Sequence, residues 1–326
     1  MNLPSRSRPD DATDPVRVGV VGVGVMGADH ARRIAHRVTD AVLAGVCDPV
    51  PGRASAAVPG ARVFASPEEL ISSPEVDAVL IASPGAAHEE QVLACLAAGK
   101  YVLCEKPLTL TVSSARRLVA AEAAGGRPLV QVGFMRRFDP AYTRLHGLLP
   151  SVGRLLVVHN VHRNVSAPAS FTSEMIVRDS LVHEVDVCRW LFADEIATVR
   201  VLSPTPSGLA PVGVQDPQVA IFEMAGGGIA TTGVFVNSQV GYEVRCEAVG
   251  ETDSLFVPAV RPLAASFLTR FASAYDIEVQ AWVSACRRGV VVGPRLQDGL
   301  AATAATEAGV RSLRNGGKPV AVSDVF

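Results

Sequence analysis

Net charge is what this sequence lacks first: 30 basic side chains face 32 acidic ones, a formal net charge of -2. Without a basic excess or a basic stripe, the chain offers no general attraction to nucleic acid or to an anionic membrane. Long apolar runs are missing as well. Hydrophobic content is 48%, too high for a disordered chain, yet no stretch reaches the roughly 18 uninterrupted apolar residues of a spanning helix. The six cysteines (Cys47, Cys95, Cys104, Cys188, Cys246, Cys286) form no Cys-x-x-Cys pair and sit mostly inside apolar runs. That scatter fits reduced, buried thiols in a cytoplasm. Residues 2–15 hold Pro, Arg and Asp without the apolar core of a signal peptide, so residues 1–15 read as a flexible leader. No tandem repeat and no low-complexity tract is present. What remains is a globular chain of 326 residues, long enough for about two domains, with a small uncharged molecule as its expected partner.

From Val16 the chain alternates apolar runs with helix-like segments at βαβ spacing. Expected strands are Val16 to Val21, Ala41 to Cys47, Asp77 to Ala82, Tyr101 to Cys104 and Leu129 to Gly133. Helices are expected over 25–37, 67–72, 86–98 and 112–124. The pattern predicts an α/β fold, a doubly wound parallel sheet of Rossmann type over residues 16–137. Gly22-Val23-Gly24-Val25-Met26-Gly27 follows the first strand directly. A lone G-x-G-x-x-G is weak, but between a strand and a helix each glycine has a task. The first permits the tight turn, the second lets the backbone approach a pyrophosphate, and the third permits close helix packing. Asp48 ends the second strand, where a carboxylate accepts hydrogen bonds from a ribose diol and repels a 2'-phosphate. The expected cofactor is therefore NAD rather than NADP, although Arg53 lies close in sequence.

After about Arg137 the period changes. Arg154 to His162, Ala197 to Leu202, Gln218 to Met224, Ile229 to Asn237 and Tyr242 to Val249 read as successive strands, and two longer helices are expected over 271–288 and 295–314. Residues 138–326 are accordingly expected to form an α+β domain with a large open, mostly antiparallel sheet that binds substrate and oligomerises. Asp179, His183 and Asp186 lie at i, i+4 and i+7, one face of a regular helix among apolar neighbours. Taken alone they fit a capping Asp with a satisfied core His, a general-base pair, or two carboxylates and an imidazole on a metal. No fourth ligand is evident, and no metal is expected. On the strand 154–162, Asn160, His162 and Asn164 share one face and His159 takes the other. Lys106 stands at the carboxyl end of a parallel strand, where ligands of open α/β sheets sit.

Several segments together resemble one family. They are Gly22 to Gly27, Glu105-Lys106-Pro107-Leu108, Val132-Gly-Phe-Met-Arg-Arg-Phe-Asp139, His162-Arg-Asn164, and Asp179-Ser-Leu-Val-His-Glu-Val-Asp186 with the residues that follow to Leu191. Phe235 to Tyr242 and Ala274 to Gln280 extend the likeness. The chain resembles the glucose-fructose oxidoreductase and inositol dehydrogenase family (Gfo/Idh/MocA), and within it the inositol 2-dehydrogenase branch. The resemblance implies NAD-dependent oxidation of a cyclic polyol hydroxyl, myo-inositol to its 2-ketone, by a cytoplasmic homotetramer that uses no metal. It implies catalytic roles for Lys106, Asp179 and His183, with Asp186 behind them. Cofactor contacts would come from Gly22, Gly24, Val25, Met26, Gly27, Asp48, Ser83, His88, Glu105 and Lys106. Substrate contacts would come from Arg136, His162, Asn164, Ser180, Tyr242 and Tyr275, together with Asp179 and His183. Another sugar or inositol isomer as substrate, and a non-catalytic NAD-binding regulator, are the alternatives. Two departures bear on them: proline in Ser83-Pro84-Gly85, and a short segment over 257–271.

Overall fold

The structure is a computed structural model that describes residues 14–259 and 261–326. Residues 1–13 of the expected leader, and Val260 in the short segment, lie outside the described residues. The chain forms two compact units and passes between them more than once. The first unit comprises residues up to Glu105, Leu118–Gly133 and Asp276–Arg295; the second comprises Lys106–Arg117, Phe134–Tyr275 and Leu296–Phe326.

In the first unit, β1 (Val16–Val21), α1 (Val25–His36), β2 (Ala41–Cys47), α2 (Arg53–Ala57), α3 (Pro67–Ser72), β3 (Ala78–Ile81), α4 (Gly85–Ala97), β4 (Tyr101–Glu105), α5 (Val112–Ala124, entering from Leu118) and β5 (Val130–Gly133) alternate as the periodicity predicts. All five strands are parallel, in the order β2-β1-β3-β4-β5. Outside β2, Val63 makes one further parallel bridge to Val46. The edge strand of a six-stranded doubly wound order is thus reduced to a single bridge. The strands are apolar on both faces because helices cover both. α2 has no clear signal in the sequence, being five residues long with three alanines. The second half of a later helix, α10 (Ala272–Arg288), belongs to this unit from Asp276 onward. Its Val279, Trp282, Val283 and Cys286 pack in one core with Val16, Val18, Val20, Ile34 and Leu103.

The second unit opens with a 3-10 turn (Met135–Phe138) and α6 (Pro140–Leu148), capped by Asp139, whose carboxylate accepts from the amides of Ala141 and Tyr142. β6 (Leu155–Arg163) follows, then α7 (Ser173–Met175), a π-helical turn (Ile176–Leu181) and α8 (Val182–Phe192). β7 (Ile196–Leu202), β8 (Gln218–Met224), β9 (Ile229–Phe235), β10 (Glu243–Gly250), β11 (Ser254–Val257), α9 (Phe267–Arg270), the first turn of α10, α11 (Leu296–Arg314) and β12 (Val320–Ala321) complete it. The seven strands run β11-β10-β6-β9-β8-β7-β12, antiparallel except for the β6-β9 pair. Alternation buries one face, with Val158, Asn160 and His162 on β6 beside Val244 and Cys246 on β10. α11 closes on β7: a methyl added at Gly309 would stand 3.4 Å from the Val199 and Val201 side chains. β11 and β12 are four and two residues long, too short to show alternation.

The glycine turn of the first unit makes a sharp test. Gly22 has φ +80°, and a Cβ at Gly27 would lie 1.8 Å from the Gly22 carbonyl oxygen, whereas one at Gly24 meets nothing within 4 Å. Gly27→Ala is expected to lower the melting temperature sharply, because backbone must move in a packed turn, a change worth about 3 kcal/mol or more. Gly24→Ala is expected to melt like the wild type. Equal melting of both variants in a calorimeter would refute this account of the turn.

Candidate active site

In the first unit Asp48 stands just past β2 with its carboxylate turned to the glycine turn. One oxygen accepts from the Val23 amide at 2.9 Å; the other accepts from the Val50 amide at 2.9 Å and from Arg53 at 3.3 Å. The acid is thus fixed beside the open N-terminus of α1. On the first turn of that helix Val25 is exposed and Met26 half-buried. Pro84 precedes α4 as its N-cap residue, and the buried His88 in the next turn bonds the Ser83 carbonyl at 2.8 Å. The proline departure therefore sits in a turn pinned by that histidine, and Ser83 Oγ also bonds Gln91 at 2.6 Å. Glu105 ends β4 facing inward, 2.8 Å from Nε2 of the buried His30 on α1. His30 was not singled out in the sequence, where it is one polar residue of a helical run.

In the second unit, Lys106 donates to the main-chain carbonyl of Asp179 at 2.9 Å. Asp179 lies in the π-helical turn, so an assumption of regular helix across 179–186 fails there. A π turn advances less per residue, i→i+5 instead of i→i+4. Asp186 is turned to a partner of its own. Its buried carboxylate takes two bonds from Arg137, at 3.0 and 2.6 Å, and Arg137 also reaches Asp298 at 2.9 Å. Asp186 is an internal ion-pair partner, one that spacing alone had set beside the imidazole. The capping alternative for Asp179 fails too, since Thr172 caps this helical segment.

Among the described residues no hydrogen bond joins the Asp179 carboxylate to His183. Burial raises the Asp179 carboxyl above its ordinary range, with Lys106 and Arg178 opposing. His183 is buried, and burial, then the nearby Lys106, Arg136 and His162, hold it well below the ordinary imidazole value. It is a neutral base held near the cations Lys106 and Arg136. Among the described residues no group of three or more His, Cys, Asp and Glu side chains could hold a metal ion.

Around His183 the buried side chains form a closed network. Arg136 donates to Glu184 through one terminal nitrogen and lies 3.3 Å from His162 Nδ1 through the other. The same Nδ1 is 3.2 Å from the second Glu184 oxygen, and His162 Nε2 is 3.5 Å from the Tyr242 hydroxyl. Burial pushes the Glu184 carboxyl up, but Arg136 and His162 outweigh it and bring the group down to about 2. Glu184 escaped the sequence reading because it sits inside an apolar helix beside the conspicuous His183. Asn164 lies just past the end of β6 and is half-buried; its main chain is bonded to Phe235 and Ser238, while its buried Oδ1 has no hydrogen-bond partner among the described residues. Tyr242 rings stack edgewise against Phe267 and Phe271 of the short segment's far end, at 6.3 and 6.2 Å, and the Tyr242 amide bonds the Ala264 carbonyl. Ser180 and Tyr275 are buried. Asn160 is a core residue, its amide 3.4 Å from the Cys188 sulfur.

Residues 16–134 match the family model described as "Oxidoreductase family, NAD-binding Rossmann fold", and residues 151–256 match the GFO/IDH/MocA C-terminal domain. The chain belongs to the GFO/IDH/MocA oxidoreductases. It is 49% identical to an inositol 2-dehydrogenase of Mycolicibacterium smegmatis over 95% of this chain and 97% of that protein, and 48% identical to one of Streptomyces avermitilis over 92% of each. Among solved structures, myo-inositol dehydrogenase from Lactobacillus casei in complex with NAD(H) and myo-inositol superposes with a TM-score of 0.90 at 33% identity, covering 94% of this chain and 96% of that one. Scyllo-inositol dehydrogenase from the same organism, with NAD(H) and scyllo-inositol, gives 0.88 at 26% identity, covering 95% of this chain and 100% of that one.

The low affinity of His183 for a proton has a stability consequence. Its unfolded value is the ordinary one of about 6.5, so below that pH the unfolded chain takes up a proton that the folded chain refuses. The stability of the wild type is expected to fall by about 1.4 kcal/mol per pH unit from this group, for as long as the pH stays above the folded-state value. His183→Asn lacks that loss. Urea midpoints of the two proteins should therefore diverge, with the wild type losing more as pH drops from about 7.5 to about 5.5; parallel midpoints would mean that His183 is not buried in its neutral form.

Proposed function

We propose that this protein is an NAD-dependent dehydrogenase that oxidises one secondary hydroxyl of a cyclic polyol to a ketone, with myo-inositol as substrate and its 2-keto derivative as product. The observation that carries the reading is a neutral buried imidazole, His183, in the same turn region as an ammonium, Lys106, anchored on the Asp179 carbonyl. A hydroxyl oxidised to a ketone must lose a proton to a base while negative charge on its oxygen is stabilised, and these two groups supply both functions. The names of the relatives supply the substrate class.

The first unit fits NAD. Gly24 leaves space beside the α1 N-terminus that a side chain would fill, and Asp48 is fixed where it can accept from a ribose diol and repel a 2'-phosphate. Gly22, Gly27, Val25 and Met26 shape that turn, Ser83 and His88 follow β3, and Glu105 ends β4 with Lys106 next in the chain. Bound NAD supplies the nicotinamide carbon that receives the hydride. His183 takes the hydroxyl proton on a ring nitrogen. Lys106 donates a hydrogen bond to the reacting oxygen, a contribution of about 3 to 4 kcal/mol for one such donor. Asp179, without a hydrogen bond to His183, acts by charge on the imidazolium that forms and on Lys106.

Polyol hydroxyls need directional partners, and the buried, unpartnered Oδ1 of Asn164 is an acceptor for one of them. His162, Tyr242, Tyr275, Ser180 and Arg136 complete the substrate side of the reading. Scyllo-inositol is the second reading, on the likeness to the scyllo-inositol dehydrogenase structure. An inert NAD-binding regulator is disfavoured because Lys106, Asp179 and His183 are all present and two of them are joined.

With purified protein, reduced-nicotinamide absorbance should rise with NAD and myo-inositol, far more slowly with NADP, and more slowly with scyllo-inositol, glucose or xylose. His183→Ala and Lys106→Ala should each lower turnover by about 100-fold or more while NAD still binds in calorimetry. Wild-type turnover in either variant would sink the assignment of roles, and silence of the wild type across the panel would sink the reaction.

The same reading makes the protein a cytoplasmic homotetramer. No helix of the described residues is long and apolar enough to cross a membrane. One face of the seven-stranded sheet is turned outward, with Val219 and Ile229 on it 38% and 43% exposed. Sedimentation should give four chains per particle, and a monomer at micromolar concentration would overturn this part.

A further inference from the structure

We propose that Glu184 is a positioning residue for the reaction: it fixes the hydrogen of His162 on Nδ1 and neutralises Arg136 beside His183, and so holds both the base and one substrate contact in their working form. The inference rests on the reading of His183 as proton acceptor and of His162 as a substrate contact.

Glu184 is fully buried on α8, one residue after His183, and so points away from it while sharing its turn. Both of its oxygens are engaged, one by Arg136 Nη1 and the other by His162 Nδ1 at 3.2 Å. Arg136 is itself buried, 1% exposed, and its Nε has no hydrogen-bond partner among the described residues. Its charge therefore depends on Glu184 for compensation. A buried guanidinium beside an uncharged side chain would leave two cations, Arg136 and Lys106, acting on His183, because Asp186, the other buried carboxylate of α8, is already committed to Arg137.

Geometry also decides the histidine. Nδ1 of His162 has two neighbours, an Arg136 nitrogen at 3.3 Å and a Glu184 oxygen at 3.2 Å. Arginine can only donate and an ionised carboxylate can only accept, so Nδ1 satisfies one of them and not both. The bond to a carboxylate is charge-assisted and the stronger of the two, which puts the hydrogen on Nδ1. In the neutral ring Nε2 is then an acceptor. It faces the Tyr242 hydroxyl at 3.5 Å, a length at the outer limit of a hydrogen bond, so a substrate hydroxyl competes for it on favourable terms. The network thus prescribes that the polyol donates at this point.

Glu184→Gln tests the assignment. A carboxamide presents one acceptor oxygen where two donors point, and its amino group opposes the second donor. The expected result has three parts, read on the full-length protein. NAD affinity by calorimetry stays within about twofold, kcat/KM for myo-inositol falls by about 100-fold, the effect of a reacting group displaced by about 1 Å, and the side-chain nitrogen resonances of His162, identified by loss in His162→Gln, lose the Nδ1-protonated pattern of the wild type. A kcat/KM within twofold of wild type with an unchanged His162 pattern overturns the proposal. Low activity with an unchanged pattern and equally weakened NAD binding also overturns it, since that is general damage. Should Glu184→Gln fail to fold, Glu184→Asp keeps the charge and retracts it by one methylene: an Nδ1-protonated His162 with kcat/KM lowered about tenfold supports positioning, and wild-type kcat/KM overturns it. If the wild type itself does not oxidise myo-inositol, the substrate reading fails separately, and the His162 pattern of the wild type still decides whether Glu184 sets the tautomer.

Discussion

A carboxylate taken out of water loses several kcal/mol of hydration, and only well-placed donors return it. Glu184 is in that position, and its donors are Arg136 and His162. Around this one internal pair the second unit is arranged: α8 carries the acid, the 3-10 turn after β5 carries the arginine, and β6 carries the histidine. Three elements far apart in sequence are tied at one buried point. A second pair runs parallel to the first, Arg137 with Asp186 and Asp298, and joins the same 3-10 turn and α8 to α11. Adjacent arginines thus use two neighbouring carboxylates of one helix, which fixes the rotation of α8. His183 immediately precedes Glu184 on that helix, so its place follows from that rotation.

Much of this was legible in the sequence. Strand and helix alternation gave β1 to β5, since fully buried strands and amphipathic helices have different periods. The G-x-G-x-x-G turn was legible because each glycine answers a separate steric demand, and Gly22 and Gly27 meet those demands in the structure. The polar face of β6 was legible from alternation, and it is buried, not solvated: Asn160 and His162 are inside and His159 is outside. All six cysteines are free and buried, as their apolar settings implied, and burial, opposed by Lys100, lifts the Cys95 thiol to about 12.

What was not legible depends on partners distant in the chain. The π turn has no local signature, since Ile176 to Leu181 would suit an α-helix equally well, yet it breaks the regular spacing between Asp179 and Asp186. Glu184 was hidden because a charged residue in an apolar helix reads as a solvated position until Arg136 is seen against it. The return of α10 to the first unit was likewise invisible: Trp282 and Val283 are apolar helix residues that fit any core, and only the fold shows them beside Val16 and Leu103. Short elements such as α2 and β11 carry too few residues for any period to emerge.

The bracing has a bearing on how closely related polyols could be told apart. Asn164 is held by main-chain bonds to Phe235 and Ser238, and the next turn is held in place by the buried Asp216, which takes the amides of Val236 and Asn237. His162 is held by Glu184, and Tyr242 by the Ala264 carbonyl and two phenylalanine rings. Such groups lose little freedom on binding, so they add affinity where they match and cannot adapt where they do not. Inositol isomers differ only in the direction of a hydroxyl. Where these groups contact the polyol as proposed, inverting one hydroxyl leaves a fixed, buried donor or acceptor without a partner, a loss of about 1 to 3 kcal/mol, or roughly 5- to 150-fold. Discrimination of that size requires no pocket of special shape; it follows from side chains that the protein has already immobilised.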